Sequence, residues 1–162
     1  KKKKKPATVM WTIVDINNVF KKKVAEHDQL KSFHTSGLDT LDVDKLTVTD
    51  YPLLYAQVTD ADLSSGFTTF TFEVLVGDLV IEDQHPTLTE VYSETFLIMQ
   101  DVAAKLWFNV YDGNDTVDSS WAFDLPITCQ PFTARFTNLL TGWSASFDIK
   151  LPNPINLCDA PY

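Results

Sequence analysis

Glycine is scarce in this chain: five residues (Gly37, Gly66, Gly77, Gly113 and Gly142) among 162, and no two lie close together. Loops that cradle phosphate or a dinucleotide need clustered glycines so that backbone N–H groups can approach the ligand, so both patterns are excluded in their usual form. Cysteine is scarcer still. Cys129 and Cys158 match no zinc or redox spacing, and a chain of this length needs no disulfide to fold. The expected state is two reduced thiols in a protein made in a cytoplasm. No apolar run approaches the ~20 residues that span a bilayer, so no membrane partner is expected. The basic start, Lys1–Lys5, is not followed by an apolar leader core, because Asp15, Asn17 and Asn18 interrupt it.

Basic residues are few once the start is set aside. Lys1–Lys5 account for five of the 13 Lys and Arg, which leaves 8 against 22 acidic residues and a body charge of −14. A surface that grips nucleic acid needs Lys and Arg. An acidic body keeps a protein soluble, and it suits a conduit through which nucleic acid slides without sticking.

Catalytic signatures are missing as well. Gly142-Trp143-Ser144-Ala145-Ser146 lacks the second glycine of a nucleophile elbow, and it lies in a stretch of strict strand alternation. His27, His34 and His85 are completed by no partner pattern into a zinc site. The aspartates Asp39, Asp42 and Asp44 lack the central glycine and distant glutamate of a calcium loop. Asp112, Asn114, Asp115 and Asp118 read as turn chemistry. No catalytic residue, metal or cofactor is therefore expected.

What is present is periodic hydrophobicity, with 44% hydrophobic and 12% aromatic residues. Thr12 and Asp15 form a capping-box pattern, and Ile13, Ile16, Phe20, Val24 and Leu30 recur near helical spacing, predicting a helix from about 12 to 33. Residues 51–58 and 67–81 alternate as strands around the turn-like 60–66, predicting an antiparallel hairpin, with Gly77 marking a bulge or bend. A second capping box, Thr87 to Glu90, opens a helix to Phe108. Its stripe of Leu88, Val91, Thr95, Ile98, Val102 and Leu106 is widened by Tyr92, Phe96, Met99, Ala103 and Trp107. Such a helix packs on its own sheet and against something else, a second subunit being one candidate. Alternation from Trp121 to Ile127, a short strand near 132–136, a turn at 138–142 and clean alternation from Trp143 to Leu151 complete the chain. The expected fold is α+β: an antiparallel sheet of four to five strands with both helices on one face. Residues 1–10 read as a basic arm, 11–152 as one domain and 153–162 as an extended tail.

In size, acidity and the order helix, hairpin, helix, hairpin, the chain resembles the tail-terminator or tail-completion proteins of long-tailed bacteriophages. The stretches that carry the resemblance are Ile13–Phe33, LLYAQVTDADLSSGFTTFTFEVLVGDLV from Leu53, TEVYSETFLIMQDVAAKLWF from Thr89, and Phe132–Pro152 with Asn153-Pro154. The resemblance implies a structural virion protein, not an enzyme, forming a ring, usually sixfold, that caps the tail tube and meets the neck or connector protein. DNA would then be met only in transit through the lumen. Lys1–Lys5 has no counterpart in that family. For such an assembly the expected interface residues are Asp39, Asp42 and Asp44 in the acidic loop, and Ile155, Leu157 and Tyr162 in the tail. Two other readings stand beside this one: a head-closure, neck or baseplate part of the same virion, and a small-molecule-binding module or enzyme.

Overall fold

The computed structural model describes residues 11–35, 46–80, 86–108, 122–135 and 140–153. Helix α1 (Ile13–Ala25) opens on the expected capping box. The Thr12 N–H donates to Asp15 Oδ2 at 2.7 Å and the Asp15 N–H donates back to Thr12 Oγ1 at 3.3 Å. The hydrogen bond from the Thr12 side chain, with the one from its backbone, holds the Asp15 carboxyl below the usual carboxylate range.

This helix is shorter than its hydrophobic spacing predicts. His27 Nδ1 accepts the backbone N–H groups of Gln29 and Leu30 at 3.2 and 3.3 Å, which draws those donors away from a helical path. Leu30 is still buried, but from a turn. His27 Nε2 then lies 3.4 Å from Asp101 Oδ2 on the second helix.

Beyond the turn, Ser32–His34 form strand β1, which pairs in parallel with β2 (Leu53–Ser64). The sheet is therefore mixed, not wholly antiparallel. The connection from 35 to 52 is long enough for the crossover that parallel pairing requires. A short 3-10 turn at Val48–Asp50 lies in its described part.

Strand β2 runs antiparallel to β3 (Gly66–Leu79) over its whole length. The expected turn at 60–66 is instead strand as far as Ser64. Asp60, Ala61 and Asp62 pair with Thr71, Phe70 and Thr69, and the register shift between Val58 and Asp60 absorbs Thr59. Pairing with a strongly alternating partner here outweighs the poor strand propensity of aspartate. Asp60 Oδ1 also accepts the Ala61 N–H at 2.7 Å.

Helix α2 (Leu88–Phe108) follows, capped as expected: the Thr87 N–H donates to Glu90 Oε2 at 2.7 Å. Strands β4 (Ala122–Phe123) and β5 (Cys129–Arg135) then pair in succession along one edge of β6 (Leu140–Asn153). The alternation from Trp121 to Ile127 thus yields only a two-residue strand, and Pro126, joined to Leu125 by a cis bond, lies outside it. The turn expected at 138–142 is also displaced, because β6 already includes Leu140, Thr141 and Gly142.

Sheet order among the described strands is β1-β2-β3-β6-β4, with β5 also on β6. Alternation decides the two faces. Phe72, Val74 and Val76 of β3 and Ala145, Phe147 and Ile149 of β6 are buried with Ile16 and Phe20 of α1 and Ile98, Val102 and Leu106 of α2. Both helices therefore cover one face. Phe20 is the anchor of α1, its ring 5.6 Å from Phe72 and 6.5 Å from Phe147. Burying such a side chain contributes about 1.5–3 kcal/mol. A smaller cluster of Tyr51, Leu53, Tyr55, Leu75 and Leu140 includes the opposite-parity residues of β2, β3 and β6.

The expected bulge at Gly77 is absent. Gly77 pairs directly with Gly142 in regular antiparallel register. A Cβ on Gly142 would collide with the Val76 carbonyl oxygen, and one on Gly77 would come within 2.8 Å of Leu140 Cδ1. Two glycines here let β3 and β6 meet closely.

Candidate interaction surface

Helix α2 carries more apolar surface than the sheet beneath it covers. Val91, Thr95, Ile98, Met99, Val102, Ala103 and Leu106 are buried. Leu88, the first member of the expected stripe, is exposed instead, one residue into the helix. Phe96 (40% exposed), Leu97 and Trp107 (46%) face outward on the same helix.

Beside that outer surface lies an open groove of about 410 Å³. One wall is α2, through Phe96, Met99, Ala103 and Trp107, spaced three, four and four residues apart so that they share a side of the helix. The other wall is the segment between β4 and β5, through Leu125, Pro126 and Ile127, with Cys129 at its end. Leu125 is 44% exposed at the rim. Burial in these apolar surroundings pushes the Cys129 thiol above its ordinary pKa, which favours its uncharged form. The chemistry of the groove is therefore hydrophobic contact, with Gln100 as its amide-bearing residue.

One end of the groove is packed against β6. Trp143 of β6 meets Phe96 edge-on at a ring separation of 5.1 Å and Tyr92 at 5.7 Å. These contacts keep Phe96 in place although much of it faces solvent.

The other face of the sheet has a different character. Thr71 Oγ1 donates to Asp148 Oδ1 at 2.7 Å across the β3–β6 pair. Thr59, Glu73, Thr128, Gln130, Ser144 and Ser146 line an open polar trough of about 400 Å³ beside it. Among the described residues no group of three or more His, Cys, Asp or Glu is placed to hold a metal ion. No described helix is long and apolar enough to cross a membrane.

All six residues expected at an interface, Asp39, Asp42 and Asp44 and Ile155, Leu157 and Tyr162, lie outside the described residues. The α2 wall of the groove is legible in the sequence as the widening of the apolar stripe. The facing wall is not, because Leu125, Pro126 and Ile127 read there as the end of a strand. No family model matches the chain, and no curated protein matches it.

Proposed function

We propose that this chain is a structural subunit that assembles with copies of itself into a closed ring, ending a viral tail tube where it joins the neck. The observation that carries the reading is the apolar outer side of α2 with its groove: Phe96, Trp107 and Leu125 form an exposed hydrophobic surface of the kind that marks a protein contact. The tail-terminator resemblance rests on the order of the longer elements: α1, the β2–β3 hairpin, α2 and the β5–β6 pair. In this reading the tail tube protein and the neck or connector protein are the further partners. DNA would be met only in transit through the lumen, where the acidic body weakens its adhesion.

The test is the mass of the purified protein by light scattering, with negative-stain images of the same sample. A closed sixfold ring has a mass of about 110 kDa from an 18.3 kDa chain, and the ring should co-sediment with tail tubes. Rings that ignore tail tubes would move the assignment to a head-closure or baseplate part. A monomer both alone and with tubes would sink the self-assembly reading.

A further inference from the structure

We draw no further inference here: the strongest candidate, the exposed apolar pair Leu63 and Phe67 at the free end of the β2–β3 hairpin as the occupant of a neighbouring copy's α2 groove, carries nothing, since nothing in the structure shows what covers either surface.

Discussion

The indole N–H of Trp143 donates a 2.9 Å hydrogen bond to the backbone carbonyl of Tyr92, joining the first part of β6 to the first half of α2. The same side chain meets the rings of Tyr92 and Phe96. Trp143→Phe keeps a ring but removes the donor, and should cost about 1 kcal/mol in chemical denaturation. Trp143→Ala loses the rings as well and should cost roughly 3 kcal/mol. Equal losses for the two variants would mean that the hydrogen bond, and not the aromatic contact, holds the helix.

Three glycines rank themselves by what surrounds them. Gly142→Ala drives a methyl group into backbone at Val76 and should cost several kcal/mol, on the order of 3 or more, or abolish folding. Gly77→Ala meets the Leu140 side chain, which can shift, so the loss is smaller. Gly66→Ala meets nothing but holds φ at +96°, and should cost about 1 kcal/mol from backbone strain. Urea denaturation of the three proteins gives the order directly, and a Gly66 variant worse than Gly142 would contradict the close approach of β3 and β6.

Asp78 contributes a local preference for acid. Burial raises its pKa above the usual 3.8, the nearby Glu94 adds to that, and the Leu79 N–H opposes it. A carboxyl with a raised folded pKa is more easily protonated in the native state, so stability grows as pH falls from neutral through that pKa. Asp78→Asn should melt higher than the parent at pH 7 and lose that part of the pH dependence. Parallel melting curves for the two proteins from neutral to acid pH would refute this.

His34 acts in the opposite sense. Burial lowers its pKa below 6.5, and the charge of Asp50 only partly counters the effect. Its stabilising contribution is complete above the unfolded value and is lost as pH falls below it towards the folded pKa. Hydrogen exchange of β1 amides, corrected for intrinsic rates, should show less protection below pH 6 in the parent than in His34→Gln. Equal protection would remove the histidine from the account.

Assembly and stability should separate at the groove. Leu125→Asp and Trp107→Gln alter side chains that are roughly half exposed, so the monomer should stay folded with a loss of about 1–2 kcal/mol. If the proposed ring forms through this groove, light scattering should show both variants as smaller species. Rings that form unchanged in both variants would place the contact elsewhere.

The long periodic elements were legible because their packing is written into local spacing. Helix α2 shows its N-terminal capping box and stripe, and β6 shows alternation from Trp143 to Leu151 that matches its buried residues. Short or globally enforced features were not. Strand β1 is three residues long and exists by pairing with Leu53–Tyr55, a contact that no local pattern encodes. The end of α1 depends on a side chain, His27, that competes for backbone donors. The strand at Asp60–Asp62 depends on a partner in β3. For the groove, one wall was readable because it is a helix face, whereas the facing wall takes its position from how β4 and β5 dock on β6.

That docking has a consequence for synthesis. Strand β6 borders β3 on one side and β4 and β5 on the other, yet it comes after all of them in the chain. Before β6 emerges, a nascent polypeptide can pack α2 only on the β2–β3 part of the sheet, because the rest of the face beneath the helix belongs to β6. Ala145, Phe147, Ile149 and Leu151 supply the remainder of the floor of the core when β6 emerges. The core beneath α2 is therefore completed late, and part of the helix's inner face stays uncovered until residues 140–153 have been made.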